Sequence, residues 1–557
     1  MTTIDRARHA VPYAPEDAAR YRAAGMWGRR TIAQEFHAVA EQHPQRDAVV
    51  TAEGRLTYRE LDVRSDQIAA GLAGLGLVAG DPVLFQITNR LESVLAWYGV
   101  LKAGLVPVCT LASHRAHEIG GISRRAQAVA HLVDAGTKFD LVGFAHDQAR
   151  GHPSLRQVLV LGGEGSAEAP RIDDLGDGVD PALARETVER IQRDIDPDAI
   201  AVFQLSGGTT GVPKIIPRLH AEYWYNAVAY ARAWGWDHTT RNAHLVPIIH
   251  NAGVVCGVHG PHSVGGALVL TNPDLTEALP LLAEEKVTDI LLGHGHYRAV
   301  EEPAFATLAS SLRTVVLSGA KVPPSLFQKL EDLGLWSGQL FGMGEGLFAV
   351  TRPGTPREAR LSTVGTALSP LDEVRILEPG TERELPDGSV GELCCTGPYT
   401  LRGYFDAADH NATAFTADGL YRTGDLASIT LIEGGRYLSI EGRIKDVINR
   451  GGEKINAEEV ELLLLKHPAI AAAAVVAMPD GRLGERTCAY LVADGERMTL
   501  DDVRQHLIRL GVAKFKWPER LEWLDELPTT LVGKINKKQL RSDVAAKLHA
   551  EHHEEAG

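Results

Sequence analysis

Nine residues from Ser206 to Lys214, Ser-Gly-Gly-Thr-Thr-Gly-Val-Pro-Lys, gather three glycines, three hydroxyl side chains and a lysine in one stretch. That mixture suits phosphate oxygens. Glycines let backbone N–H groups approach an anion closely, hydroxyls donate hydrogen bonds, and the lysine adds a mobile positive charge. The apolar run before it, Ala199 to Leu205, has the length and β-branched content of a buried strand, so the loop leaves a strand end. The spacing differs from the nucleotide-hydrolase loop G-x-x-x-x-G-K-[ST]: Val-Pro-Lys follows Gly211, and no Ser or Thr follows the lysine to hold Mg²⁺. Taken alone, the stretch reads as readily as a flexible surface loop.

Four further stretches give it company: Phe341-Gly-Met-Gly-Glu345, Tyr421-Arg-Thr-Gly-Asp425, Gly442-Arg-Ile-Lys-Asp446, and Pro528 followed by Gly533-Lys534. Each has a bland alternative. A glutamate after F-G-M-G suits a helix start, T-G-D shapes a turn, and a lysine among lysines lies on a solvated face. In this order, however, they resemble the adenylate-forming superfamily of acyl-CoA synthetases, luciferases and peptide-synthetase adenylation domains, over about Tyr13 to Arg541. Within it, the stretches starting at Arg20 (RYRAAGMWGRRT) and Ile448 (INRGGEKINAEEVE), with His250-Asn251, look like the stand-alone aryl acid-AMP ligases, typified by 2,3-dihydroxybenzoate-AMP ligase and salicylate-AMP ligase.

The resemblance implies a role for each motif residue. Ser206, Gly207, Gly208, Thr209 and Thr210 would hold the β- and γ-phosphates of ATP, with help from Lys214. Gly319 and Ala320 would form the wall against which adenine stacks. Asp425 would accept hydrogen bonds from both ribose hydroxyls, and Arg443 would be a second ribose or phosphate contact. Glu345 would be the Mg²⁺ ligand. Lys534, selected over Lys537 and Lys538 by the family pattern, would reach both the substrate carboxylate and the α-phosphate. His250 is counted with Lys534 and Glu345 as catalytic. Lys445 would be the hinge of a mobile lid, and Gly451 and Gly452 would face a pantetheine arm once the lid rotates. The resemblance thus implies ATP and Mg²⁺ as cofactors, with adenylation followed by transfer to a thiol.

Asn251, Cys256, Gly344 and Phe348 would line the aryl acid pocket. Amino-acid-activating relatives place an aspartate where Asn251 stands, to pair with an α-ammonium. A neutral amide suits an ortho hydroxyl or amino group instead. Cys256 occupies a position where dihydroxybenzoate ligases carry serine and salicylate ligases tend to carry cysteine. Ala252 departs from the tyrosine usual after His-Asn, and Phe348 is bulkier than the usual Val or Leu, so the ring substituents stay open. Ordinary core packing remains the alternative for Cys256 and Phe348.

The elements that must position these residues are legible in outline. Glu53-Gly54 between two short apolar runs predicts a hairpin, and Thr57-Tyr-Arg-Glu60 a capping box opening a helix. A strand over 83–87, a helix over 91–103 closed by Gly104 and a strand over 106–109 predict a parallel α/β arrangement. It recurs through strands at 268–270, 288–292 and 312–317 with a helix over 275–285. Ligands collect at the carboxyl ends of such strands, so Gly207-Gly208 and Ser318 to Lys321 are expected along one sheet edge. Beyond residue 370, short alternating strands predict a β-rich subdomain. The fold class is therefore α/β: a large N-terminal domain, 1–444, of parallel α/β sheets plus the β-rich subdomain, then a small mobile α+β lid, 445–557. The residues before 47 read as a polar leader. The lid reads as two helices alternating with strands, ending in a solvated tail around His549 to His553.

Composition narrows the partners. The formal charge is −15 over 557 residues, which opposes sequence-independent binding to nucleic acid or anionic lipid. No apolar run approaches the ~20 residues a membrane helix needs, and the N-terminus lacks a signal-peptide core, so a cytoplasmic protein is expected. The five cysteines show no C-x-x-C spacing and suggest neither disulfides nor structural zinc. The expected reaction is ATP-dependent adenylation of an ortho-substituted, salicylate-like acid, followed by transfer to the phosphopantetheine thiol of a carrier protein in trans, in siderophore or other secondary-metabolite biosynthesis. The alternative is an aryl-CoA ligase using free CoA. A luciferase-type oxidase finds no support in the pocket, and a docking protein without turnover would require a damaged site. Arg504, Arg509, Lys514, Lys516, Arg520, Lys537 and Lys538 are the expected basic docking face for an acidic carrier. The expected assembly is a monomer or homodimer.

Overall fold

The computed structural model describes residues 9–206, 212–318, 322, 324–444, 447–528 and 535–555. Its contacts divide the chain into two units. The first takes in Met1–Ala112, Ser123–Ser206 and Lys214–Gly442; the second takes in Ser113–Ile122, Gly207–Pro213 and Arg443–Gly557.

In the first unit, the predicted hairpin forms from Asp47–Val50 and Arg55–Thr57. Thr57 then opens the helix Tyr58–Gly74 with a reciprocal box: Glu60 N donates to Thr57 Oγ1 at 3.2 Å, and Thr57 N to Glu60 Oε2 at 2.8 Å. The helix Leu91–Lys102 is buried throughout from Ser93 to Lys102, as its nearly all-apolar sequence requires, and Gly104 ends it at φ +71°. Its one buried ammonium, on Lys102, is met by Asp62 at 2.6 Å and Asp66 at 2.7 Å.

Strand–helix alternation builds two sheets. Among the described residues one has six strands, in the order Gln157–Leu161, Ala130–Asp134, Pro82–Gln86, Val106–Val108, Ile200–Leu205 and Ile215–Leu219. All pairs are parallel except the last. The other has nine, with a parallel centre made of Thr314–Ser318, Asp289–Gly293, Arg241–His244 and Ala267–Leu270. The expectation of a single sheet edge is thereby corrected. The strand before Gly207 belongs to the six-stranded sheet and the strand before Gly319 to the nine-stranded one. Local alternation dictates parallel pairing, yet leaves open which sheet a strand joins. Beyond residue 370 the predicted β-rich part is a four-stranded sheet of Glu373–Leu377, Gly391–Thr396, Tyr421–Ile432 and Gly435–Arg443.

The supposed polar leader is helical, over Pro15–Ala23 and Ile32–Gln42, and buries Tyr21, Trp27 and Phe36. Thr31 and Gln34 form a capping box there that the sequence carries in plain view. In the second unit, Ile470–Asp480 and Gly484–Ala493 form a long antiparallel pair that packs on the helices Ala457–Leu464 and Leu500–Arg509. A third helix, Lys537–Glu555, replaces the expected tail. Leu540, Val544 and Leu548, four apart, give it one apolar face against Cys488 and Tyr490. All five cysteines are free and buried, none more than 4% exposed. Among the described residues no helix is long and apolar enough to cross a membrane.

Asp372 carries a strain of its own. Its Oδ2 accepts from Ser369 N at 2.9 Å and from the Tyr399 hydroxyl, but its buried Oδ1 has no partner among the described residues. Burial outweighs those two bonds and pushes the carboxyl up to about 7. A folded-state pKa above the unfolded value makes this group's contribution complete below about pH 4 and lost as pH rises through about 7. Asp372→Asn is expected to shrink the fall in Tm between pH 5 and pH 8 by the equivalent of ~2–3 kcal/mol. An unchanged gap between the two melting curves would show that Asp372 ionises normally.

Candidate active site

The strand Ile200–Leu205 runs out to Ser206, and Lys214 leads back into Ile215–Leu219 beside it. Ser206 N donates to the Lys214 carbonyl at 2.9 Å, and Lys214 N to Ser206 Oγ at 3.0 Å. The phosphate-loop candidate is therefore bounded by a closed hairpin neck. Gly207, Gly208, Thr209 and Thr210 lie outside the described residues, as do Gly319, Ala320, Lys445 and Lys534.

A second feature is the turn between the antiparallel strands Ser337–Gly342 and Phe348–Val350. It holds Gly344 and Glu345, so Glu345 opens no helix. Met343 N donates to the Leu347 carbonyl at 3.2 Å, and Leu401 N to the Glu345 carbonyl at 2.8 Å. Gly346 sits at φ +139°, and a Cβ there would meet the Tyr399 carbonyl at 2.3 Å, which only glycine avoids. On one side of the turn the Tyr404 hydroxyl donates to Glu345 Oε1 at 2.8 Å and lies 2.7 Å from the Tyr421 hydroxyl. Burial, with the charge of Glu345 beside it, pushes the Tyr404 phenol well above its ordinary pKa, so it stays a donor. Lys214 Nζ lies 5.1 Å from the centre of the Tyr404 ring. Three candidates from distant parts of the sequence, Lys214, Glu345 and the motif opened by Tyr421, thus meet at Tyr404. Asp425 follows on the same strand, 5% exposed, its N–H donating to Thr423 Oγ1 at 3.0 Å. Arg443 closes the neighbouring strand Gly435–Arg443.

On the other side of the turn stands Asn251. Its Nδ2 donates to the Met343 carbonyl at 3.3 Å, while its Oδ1 accepts from Arg218 Nη1 at 3.2 Å and from the Tyr223 hydroxyl at 2.9 Å. Arg218 is 1% exposed. Its Nε and Nη2 donate to the two Glu222 carboxylate oxygens at 2.9 and 2.8 Å, and Nη1 also to the Gly344 carbonyl at 3.0 Å. Burial works against that charge, and Glu222 more than offsets it, holding the guanidinium above its ordinary pKa. The pair arises at a junction: Arg218 is the penultimate residue of the strand Ile215–Leu219, and Glu222 lies in the first turn of the helix His220–Ala233, accepting from Leu219 N at 2.8 Å.

Cys256 lies in the one-residue-wider π-helical turn Gly253–His259, where burial pushes its thiol up and Tyr230 hydrogen-bonds it. The Tyr230 ring meets Phe348 edge-on at 6.4 Å. Asn251, Gly344, Cys256 and Phe348 therefore share one neighbourhood, with Tyr230 joining the last two. His250 is exposed, next to Asn251 in the chain. Gly451 and Gly452 take φ +57° and +96° as the two-residue turn of the hairpin Val447–Arg450 and Glu453–Asn456, which accounts for both glycines by local geometry.

Sequence reasoning passed over Arg218, Glu222, Tyr223 and Tyr404. The four-residue spacing of Arg218 and Glu222 was the available signal; Tyr404 gave none. Three of the seven residues expected to form a basic face are corrected: Lys516 is buried against Glu459 at 2.9 Å, Arg520 is held by Glu522 and Glu551 at 2.6 Å each, and Lys537 by Glu461 at 2.8 Å, while Arg509 and Lys514 are exposed. Acidic neighbours within the same unit consume the charges of Lys516, Arg520 and Lys537.

Residues 36–405 match the AMP-binding enzyme family, and residues 459–534 the AMP-binding enzyme C-terminal domain. The chain belongs to that family. It is an adenylate-forming ligase. A salicylyl-CoA synthase / salicylate adenylyltransferase of a Streptomyces species is 40% identical over 96% of this chain and 98% of its own. The 2,3-dihydroxybenzoate-AMP ligase of Bacillus subtilis is 36% identical over 97% and 98%. Among solved structures, Mycobacterium smegmatis MbtA, in its apo form, is 37% identical with a TM-score of 0.72, covering 96% of this chain and 99% of that one. The resemblance to stand-alone aryl acid ligases read from the motifs stands with these relatives.

The buried ion pair of the ligase yields a stability prediction. Arg218→Met strands the Glu222 carboxylate without a partner and is expected to cost ~3–5 kcal/mol in chemical unfolding. Adding Glu222→Gln should recover more than 1 kcal/mol of that loss. Equal stability of the single and double variants would show that charge pairing is not what Arg218 supplies.

Proposed function

We propose that this ligase adenylates an ortho-substituted aryl acid and passes the acyl group to the phosphopantetheine thiol of a carrier protein in siderophore or other secondary-metabolite biosynthesis. Salicylate is the foremost candidate, with 2,3-dihydroxybenzoate and 2-amino-3-hydroxybenzoate beside it. The observation that carries the reading is the commitment of the charges around Asn251. The carboxylate in its network, Glu222, is spent on Arg218, which leaves an α-ammonium without a counter-ion, while the neutral amide suits an ortho substituent. The relatives' names point the same way.

In the proposed reaction a carboxylate oxygen of the acid attacks the α-phosphorus of ATP and pyrophosphate leaves. The thiol sulfur then attacks the acyl carbon and AMP leaves. Both partners of the first step are anionic, so fixed donors and cations must lower their repulsion. Ser206, with the loop up to Thr210 and Lys214, would receive the β- and γ-phosphates. Gly319 and Ala320 would receive adenine, and Asp425 with Arg443 the ribose. Glu345 fits Mg²⁺: it offers a hard carboxylate whose orientation Tyr404 fixes. No group of three His, Cys, Asp or Glu gathers among the described residues, so the remaining ligands would be phosphate oxygens and water. When bound, the ion would neutralise phosphate charge. Lys534 would stabilise the adenylating transition state, His250 would contribute beside the acid, and Lys445, with Gly451 and Gly452, would serve the thiol step. A second reading, free CoA as acceptor, is favoured by the relative named salicylyl-CoA synthase.

ATP–pyrophosphate exchange across benzoates and amino acids tests the substrate class: salicylate should exceed benzoate by tens-fold, about the value of one buried hydrogen bond. Benzoate or an α-amino acid as the better substrate would end the reading, and faster saturable turnover with CoA than with holo-carriers would select the second one. Glu345→Gln keeps an acceptor for Tyr404 but lacks the charge, so exchange should fall on the order of a hundredfold with a raised Mg²⁺ requirement and little change in Tm. Lys534→Ala should abolish exchange yet spare thioester formation from supplied aryl-AMP; equal loss of both steps would remove Lys534 from its assigned role.

A further inference from the structure

Asn251 lies in the candidate pocket with both ends of its amide already engaged, and the identity of those partners decides which end is which. An Arg guanidinium has donors only, so the atom facing Arg218 Nη1 at 3.2 Å has to be the amide oxygen. The Tyr223 hydroxyl agrees. It accepts from Gln204 Nε2 at 3.0 Å and therefore turns its own proton to Asn251 Oδ1 at 2.9 Å. Opposite stands the Met343 carbonyl, an acceptor, 3.3 Å from Nδ2. Rotating the amide by half a turn would set N–H groups against a guanidinium and a hydroxyl proton, and oxygen against oxygen, in a buried place where each mismatch is costly. Arg218 itself cannot swing away, because Glu222 grips its other edge and the Tyr223 ring lies 4.2 Å beneath it.

An amide nitrogen has two hydrogens. One goes to Met343, and the second is the group Asn251 has left to offer. We propose that Arg218 and Tyr223 are positioning residues that lock the Asn251 amide with its N–H outward, so that the pocket selects an ortho oxygen acceptor over an ortho amino donor. This deepens the proposed function and rests on its reading that Asn251 faces the aryl acid. The chemistry of the acids completes the argument. In 2-hydroxybenzoate the phenol proton turns to the neighbouring carboxylate, leaving oxygen lone pairs directed away from it, ready for an N–H. In 2-aminobenzoate one N–H turns to the carboxylate, the other points outward, and the nitrogen lone pair is delocalised into the ring. Facing a locked amide N–H, that group meets a donor with a donor.

The test is kcat/KM in ATP–pyrophosphate exchange for 2-hydroxybenzoate, 2-aminobenzoate and benzoate, with the full-length wild type, Tyr223→Phe and Asn251→Asp. The wild type should favour 2-hydroxybenzoate over 2-aminobenzoate by roughly tenfold to a hundredfold. Tyr223→Phe removes one of the two donors that hold the oxygen, and should narrow this ratio several-fold. Asn251→Asp replaces the outward donor by an acceptor and should narrow it further or invert it. The ratio is taken within one variant, so loss of folded enzyme lowers both acids alike and leaves it unmoved. A wild type that does not discriminate, or that prefers 2-aminobenzoate, overturns the proposal, as do unchanged ratios in both variants. If instead benzoate equals 2-hydroxybenzoate in the wild type, the failure is that of Asn251 as a pocket residue, and the two failures are told apart in the same assay.

Discussion

A guanidinium taken almost wholly out of water has to find acceptors for all of its N–H groups, and that requirement organises the middle of this protein. Arg218 finds them on Glu222, Asn251, Asn226 and the carbonyls of Gly344 and Tyr399. These partners come from a helix, the start of a second helical segment, a strand-connecting turn and a distant stretch near residue 400. Hydrophobic packing alone would tolerate small shifts among them; a bidentate ion pair with further directional bonds does not. The cost of desolvating the charge is thus converted into positional accuracy around Asn251 and Gly344.

The turn from Met343 to Gly346 extends that accuracy to a second place. Its Met343 and Gly344 carbonyls face Asn251 and Arg218, while the next residue, Glu345, presents its carboxylate to Tyr404 and so to Tyr421. In the proposed function two recognition tasks, one for an acid and one for a nucleotide with its ion, would share four consecutive residues. A shift in the turn that helped one would disturb the other. Gly346, pressed against the Tyr399 backbone, leaves that turn little room to adjust.

What the sequence disclosed follows from how local each signal is. The box of Thr57 with Glu60, the hairpin at Glu53-Gly54 and the helix ended by Gly104 depend on neighbours within a few residues, and all were legible. The leader helices carried an equally local box at Thr31 and Gln34, overlooked because the surrounding charge suggested solvent. The last helix was masked by its histidines, although Leu540, Val544 and Leu548 keep helical spacing. Sheet membership was not legible, since it depends on which distant strands pair. Motif order exposed Asn251, Cys256 and Glu345, but not Arg218 or Tyr404, whose contacts with the Met343–Gly346 turn bring together stretches 126 and 59 residues apart. Lys516, Arg520 and Lys537 looked like part of a free basic surface for the opposite reason: acidic partners such as Glu459, Glu461 and Glu551 are distant in sequence or lie on another element.

The five cysteines acquire a different meaning once the chain is seen as an adenylate-forming ligase. An acyl adenylate is a mixed anhydride that any accessible thiolate would attack, and thiolates form only where the thiol is exposed enough to ionise. Here every thiol is buried, and at Cys109, Cys256, Cys394, Cys395 and Cys488 burial also pushes ionisation far above neutral pH. Burial therefore disfavours the thiolate at every cysteine of the chain, and in the proposed second step the reactive thiol would be the one that arrives from outside.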